Sequence, residues 1–307
     1  MQRYLLKRIL IGILTMLLVI TIVFFITRVA GPADPTAILL PPDATAEDQA
    51  RLRVKFGLDK PVMEQYFIYM KNALHGDFGE SFRFGEPALE LVLDRLPATI
   101  QLAGLALFLG LSCGLFIGII SAVYRDTVFD RIGRVLALIG MAVPQFALAL
   151  FMTLIFGVML EWLPISGRGG IYHLIMPVIS MSMVGLAAYT RLSRSSMIEV
   201  LNSDYIVMAR IKGVPYYQVV LVHALKNSCI PVITFIGMTF PALITGNVVI
   251  ETIFSWPGIG NLVMTSIFAR DYPVVQVIVL LLSFMVISIN LLIDITYAYI
   301  DPRIRFE

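Results

Sequence analysis

The chain has 307 residues, of which 58% are hydrophobic and only 14% charged, where a soluble domain carries about 25% charged residues. With a mean hydropathy of +0.86 there are too few charges to cover a soluble surface, which excludes a disordered chain, a coiled coil and a nucleic-acid-binding domain. The net charge of +2 offers no bulk attraction to an acidic partner, and the apolar residues fall in long blocks, so the chain reads as an all-α, polytopic protein of the lipid bilayer.

Crossing ~30 Å of hydrocarbon takes about 20 apolar residues. Six stretches meet that requirement: residues 9–29, 99–123, 132–160, 171–190, 229–250 and 274–300. The third and sixth run long, which reads as tilt or an interfacial end; the fourth is diluted by Pro177. The first has the basic start of a signal peptide (Arg3, Lys7, Arg8), but its apolar run is too long and no A-x-A site follows, so it reads as a retained helix over residues 1–30. Pro144, Pro231 and Pro241 mark kinks, which serve either a path between helices or packing alone.

Lysine and arginine placement sets the orientation. With the N-terminus inside, the inner segments hold the basic start, Arg125, Arg131, Arg134, the basic residues from Arg191 to Lys226, and Arg303 and Arg305. The short outer loops hold Arg168 and Arg270 alone, so both termini are expected on the cytoplasmic side. The outer segment 31–96 is too long for a bare connection. Pro32, Pro35, Pro41 and Pro42 read as extended chain, Thr45 and Asp48 as a capping box, and a second helix is expected near residues 62–74. It is either a small helical cap or a docking surface for an extracytoplasmic partner. Residues 97–307 form the remaining five-helix core.

Catalytic, cofactor and metal sites have no visible basis. There is no G-x-x-x-x-G-K-[ST], no H-E-x-x-H and no G-x-S-x-G, and His75, His173 and His223 stand far apart. Cys113 and Cys229 read as packing residues. Asp294 is the one carboxylate inside an expected span; it is either a near-interface aspartate bonded to a neighbouring helix end or a coupling site. An ion-coupled carrier needs mid-membrane carboxylates or matched broken helices, which are not evident here.

The segment 191–227 is the longest one assigned to the cytoplasm. Asp204 is placed to N-cap a short helix that Gly213 and Pro215 end, and Tyr205, Met208, Ala209 and Lys212 share one face of it. Such a helix either passes a push from a soluble partner into the spans or is an ordinary interfacial helix with Arg210 and Lys212 snorkelling. Beyond the fifth span, Glu251, Phe254, Trp256, Pro257, Gly258 and Gly260 combine turn-forming residues with aromatics suited to an interface.

Residues 204–213 read D-Y-I-V-M-A-R-I-K-G. This resembles the cytoplasmic EAA signature of permease subunits in binding-protein-dependent ABC importers. The glutamate and first alanine of that signature are absent; Ala209 and Gly213 match. The D-Y-I-x-x-A-R-x-K-G form of the dipeptide, oligopeptide and nickel branch fits throughout. R-Y-L-L-K-R-I-L at the start, G-L-D-K-P, H-G-D-F-G-E-S, L-P-A-T, R-S-S-M-I-E-V-L, E-T-I-F-S-W-P-G-I-G, R-D-Y-P-V-V-Q and D-P-R-I-R are similar to the same branch and cover nearly the whole chain.

The resemblance implies a six-helix type I importer permease of a bacterial inner membrane. It would have no ATPase site of its own and would work with cytoplasmic ATP-binding subunits, a second homologous permease and an extracytoplasmic solute-binding protein. Asp204, Tyr205, Ala209, Arg210, Lys212 and Gly213 would couple to an ATPase. The 251–260 group would form an outer gate or re-entrant loop, or else an interfacial aromatic anchor. Short peptides are the expected cargo, nickel or a nickel chelate the alternative within the class, and an ATP-independent carrier the alternative outside it.

Overall fold

The computed structural model describes residues 2–30, 36, 40, 44–245 and 248–300. The Pro-rich stretch, Arg303, Arg305 and the side chains of Arg3 and Asp294 lie outside the described residues. Among the described residues every element is helical, apart from one isolated bridge between Glu80 and Pro87. Five helices are long and apolar enough to cross a bilayer: Leu6–Arg28, Ala88–Val123, Tyr172–Leu201, Ile230–Ile253 and Tyr272–Ile293. The sixth candidate is a pair, Val128–Ala142 and Gln145–Met159, bent by 98°. The extra length of the third expected span is therefore a break, not a tilt. Val143 is extended (φ −88°, ψ 118°) because the ring of Pro144 disfavours the helical region for the residue before it.

The chain divides into two compact units, Met1–Pro97 with Gly258–Glu307, and Ala98–Pro257. The first contains α1 (Gln2–Phe25), which runs into a π-helical turn (Ile26–Ala30), α2 (Ala46–Lys55) and α3 (Val62–Ala73). It also holds the beginning of α4 (Ala88–Val123) and, further along the chain, α13 and α14. The expected capping box is present: Thr45 Oγ1 accepts from the Asp48 N–H (3.2 Å), and Asp48 Oδ2 accepts from the Thr45 N–H (3.1 Å).

α5 (Val128–Ala142), α6 (Gln145–Met152), its π-helical continuation (Thr153–Met159) and α7 (Tyr172–Leu201) belong to the second unit. They are followed by α8 (Asp204–Ile211), α9 (Tyr216–Gln218), a π-helical turn (Val219–Ala224), α10 (Leu225–Ser228), α11 (Ile230–Thr245) and α12 (Val248–Ile253). α13 (Ile259–Phe268) and α14 (Tyr272–Ile300) return to the first unit. There, Ala88, Leu91 and Val92 of α4 pack with Ile259 and Leu262 of α13 and with Val274, Val277 and Ile278 of α14.

Lipid is as apolar as leucine, so helices in a membrane associate through close packing and hydrogen bonds. In the second unit that packing rests on Gly110, Gly114 and Gly118, spaced by four and therefore on one face of α4. A methyl carbon on Gly114 would stand 2.8 Å from the carbonyl oxygen of Leu186, and one on Gly118 2.6 Å from that of Thr190. Only glycine lets α4 lie this close to the backbone of α7. Gly140 of α5 repeats the device against Ala187.

α7 does not stop at residue 190, where the apolar stretch ends, but runs on to Leu201. Much of the segment read as a loop from Arg191 is thus the final part of a long helix. Arg194, within it, forms a fork with the fully buried Asp130 of the first turn of α5, Nε to Oδ1 at 2.7 Å and Nη2 to Oδ2 at 2.9 Å. The Asp126 N–H donates to the same carboxylate at 3.1 Å.

Candidate functional site

α8 follows α7 after a two-residue turn. Asp204 was expected at the N-cap, but that position belongs to Ser203 (φ −74°, ψ 151°), whose hydroxyl turns back to the Val200 carbonyl at 2.6 Å. Asp204 is instead the first helical residue, where its charge still meets the positive end of the helix dipole. The C-terminus is a Schellman turn. Gly213 stands at φ +79°, its N–H donates to the Arg210 carbonyl (3.0 Å), and the Val214 N–H donates to the Ala209 carbonyl (3.2 Å). An added Cβ on Gly213 would meet nothing within 4 Å, so the demand for glycine is conformational and not spatial.

One residue anchors α8. Ile206 is fully buried in a cluster with Ala122 of α4, Met197 and Leu201 of α7, and Val219, Val220 and Ala224 of the turn after α9. Ala209 and Val214 pack against the rim of that cluster. The other apolar residues face outward: Val207 is 45% exposed, Met208 53% and Ile211 73%. Tyr205, Met208, Ala209 and Lys212 share a face as their spacing requires, and with Asp204, Val214 and His223 they line an open hollow of about 550 Å³. Asn227 donates to the Tyr205 hydroxyl at 2.7 Å, and Arg210 lies over the Tyr216 ring at 5.6 Å. The arrangement is a short helix anchored through Ile206, with an open hollow on one face and apolar side chains exposed.

The 251–260 group is divided by the fold. Glu251 lies within α12, at the end of the candidate span Ile230–Ile253 and not beyond it. It is fully buried and accepts from the Thr99 hydroxyl at 2.7 Å. Phe254 and Trp256 are 2% and 1% exposed, so they are core residues rather than interfacial anchors. Trp256 Nε1 donates to the Ala98 carbonyl at 2.9 Å, and Gly167 N donates to the Phe254 carbonyl at 2.8 Å. Ser255 takes the left-handed conformation (φ 47°) that turns the chain between the two rings. Arg168 stacks on Trp256 at 5.7 Å and donates to Gln101 at 2.8 Å. Pro257 closes this unit; Gly258 and Gly260 belong to the other, as the N-cap and a buried residue of α13.

Sequence reasoning missed Asp130 as the partner of Arg194. The two are 64 residues apart, and nothing local to either distinguishes this pair from the i,i+4 contact of Asp130 with Arg134. It also missed Asp271, which follows Arg270 in a stretch singled out for its resemblance. The Asp271 carboxylate is fully buried and accepts from the Ser81 hydroxyl and the Phe82 N–H (3.0 Å), tying the 81–83 turn to the start of α14.

Comparison with known proteins agrees with this architecture. The family described as "Binding-protein-dependent transport system inner membrane component" matches residues 114–306, and its N-terminal companion matches residues 1–103. The chain is 40% identical over 307 residues to the glutathione transport system permease protein GsiC of Salmonella typhimurium, and 37% identical to that of Shigella flexneri, with both chains covered in full. It is 38% identical over 315 residues to a putative peptide transport system permease protein of Brucella abortus, again across the whole of both. The chain belongs to the inner-membrane permease family of binding-protein-dependent ABC importers. It is a transport subunit and not itself an enzyme.

Proposed function

We propose that this permease moves short peptides, a class that includes glutathione, and that α8 is the element through which a cytoplasmic ATP-binding subunit drives it. In this reading a second, homologous permease completes the translocation path, both termini face the cytoplasm, and an extracytoplasmic solute-binding protein delivers the cargo. The names of the relatives support the cargo class. The observation that carries the coupling role is the contrast within α8: Ile206 is buried in a cluster fed by α4 and α7, while Val207, Met208 and Ile211 stand exposed.

A push on the exposed face is transmitted through Ile206 to two long helices that are locked together by glycine-to-backbone packing. The helices then move as bodies instead of bending locally, which is what alternating access requires. Asp204, Tyr205, Ala209, Arg210 and Lys212 supply the hollow and its charged edge, and Gly213 fixes the angle at which the chain leaves. At the other named group, Glu251 and Trp256 hold the end of α12 on α4. In this reading that end is a rigid gate post on the extracytoplasmic side, and Pro257, Gly258 and Gly260 form the joint beyond it.

The test is co-purification from the native host in mild detergent, followed by ATP-dependent uptake of labelled peptides in reconstituted vesicles. An ATP-binding protein and a second six-span permease should be retained, and Met208→Arg or Ile211→Arg should release the ATP-binding protein without lowering the amount of permease in the membrane. Transport by the chain alone without ATP would overturn the coupling reading. Uptake of nickel and not of peptides would overturn the cargo.

A further inference from the structure

The first span, Leu6–Arg28, counts 23 residues. At 1.5 Å per residue it is about 35 Å long, close to the ~30 Å of hydrocarbon that a span has to cross. Its two ends therefore lie near the two boundaries of the acyl layer.

α3, in the same unit, meets this span before its end and not beyond it. The Tyr66 hydroxyl shares a hydrogen bond with Thr21 Oγ1 at 2.9 Å. The Tyr66 ring stacks on Phe25 at 5.4 Å, and the Tyr69 ring on Phe24 at 5.5 Å. Thr21 stands seven residues before Arg28 and Phe25 three, so these contacts lie about 10 Å and about 5 Å inside the end of the span.

Tyr66 and Tyr69 occupy one side of α3. About a quarter turn round the helix, at spacings of four, three and four, come Met63, Phe67, Met70 and Leu74. Met63 is 56% exposed, Phe67 64% and Leu74 80%. About a quarter turn further are two exposed charges, Lys71 and Glu64, the latter paired with Lys60 at 3.0 Å. α1 leaves Leu14, Leu18 and Ile22 exposed over the same part of the span, so it presents a lipid-facing surface at this depth. α2 differs: it carries Glu47, Asp48, Arg51, Arg53 and Lys55 within ten residues, a composition suited to water.

A row of four large apolar side chains is poorly placed in water. A soluble partner would have to enter the acyl layer to cover them, because the contacts with Thr21 and Phe25 hold the helix at that depth. Interfacial helices bury their apolar face about 5–10 Å into the boundary between headgroups and acyl chains, the depth at which α3 is held here. We propose that α3 is an interfacial membrane helix. Met63, Phe67, Met70 and Leu74 lie among the lipid acyl chains at the Arg28 end of the span, and Glu64 and Lys71 reach out to the headgroups and water. In the orientation proposed above this is the extracytoplasmic leaflet. The segment between the first two spans is thereby moored to the bilayer as well as to α1.

The test uses the full-length chain with Cys113→Ser and Cys229→Ser, reconstituted in vesicles of phosphatidylethanolamine and phosphatidylglycerol. A nitroxide is attached in turn to Met63→Cys, Phe67→Cys, Leu74→Cys, Glu64→Cys and Lys71→Cys, and its relaxation by oxygen and by chromium oxalate is compared. The first three labels should be reached by oxygen more than by chromium oxalate, at a depth of about 5–10 Å below the phosphates. The labels at positions 64 and 71 should show the reverse. If the cysteine-free chain does not fold, Phe67→Trp in the otherwise native chain gives the same reading: its added fluorescence should be quenched by lipids brominated on the upper acyl chain and spared by iodide. Ready access of chromium oxalate or iodide to position 67 would put the stripe in water and overturn the proposal. So would labels at 63, 67 and 74 that neither reagent reaches, which would mean that protein covers the stripe.

Discussion

Two glycine-dependent regions of the second unit make opposite demands on the same residue. Along α4, Gly114 and Gly118 are ordinary helical residues whose missing side chain is the point: the backbone of α7 occupies the space. At the end of α8, Gly213 has open space around it and is needed for its positive φ. The first region is a buried lock between long helices, the second an exposed turn that sets the exit angle of a short one. A glycine read from sequence alone does not reveal which demand it meets; only its neighbours do.

The contrast is broken most severely at the lock. Gly118→Leu should cost 3 kcal/mol or more, at or beyond the upper end of the roughly 1–3 kcal/mol typical of overpacking, because the obstacle is backbone and cannot rotate away. The amount of folded permease extracted from membranes and its thermal unfolding would check this. Asp130→Asn, in the same packed region, should follow at about 2–3 kcal/mol. That is less than the roughly 3–5 kcal/mol of a fully buried broken pair, because Arg194 keeps 22% of its side-chain surface exposed. A double-mutant cycle with Arg194→Gln should return a coupling energy above about 1 kcal/mol.

Gly213 should respond to backbone preference instead of side-chain size. Gly213→Ala should cost about 1 kcal/mol and Gly213→Asn only a few tenths, since asparagine tolerates the left-handed region; Gly213→Val should cost the most of the three. Uptake should fall in the same order with membrane insertion unchanged. Equal losses for asparagine and valine would make the site spatial after all.

The smallest effect lies at the capping box of α2, in the other unit. Hydrogen bonds from the Thr45 hydroxyl and N–H hold the Asp48 carboxyl below the usual carboxylate range. Its contribution is therefore fully present above the unfolded value and fades as pH falls through the lower, folded one. Amide exchange in the first turn of α2 should quicken on acidification in the native chain, and should depend less on pH in Thr45→Ala.

Much of this protein was legible before any coordinates. The apolar blocks located the candidate spans, because hydrocarbon forces a long run of apolar residues into a helix whatever it packs against. The capping box at Thr45, the helix ended by Gly213 and the shared face of Tyr205, Met208, Ala209 and Lys212 are local devices, fixed by spacings of three and four residues. The spacing of Gly110, Gly114 and Gly118 gains its meaning only from the helix that these residues meet.

What tertiary structure alone decided is everything that depends on a partner far along the chain. It made residues 132–160 a broken pair instead of one tilted span, and carried α7 past residue 190 to reach Asp130. It buried Phe254 and Trp256 where their composition suited an interface, and sealed two nitrogens of Arg28 from solvent without a hydrogen-bond partner. The physical reason is common to all four. In a chain this apolar nearly every helical face is oily, so hydrophobic periodicity loses its power to separate inside from outside. Close contacts of backbone and a few buried polar groups then determine which face meets which.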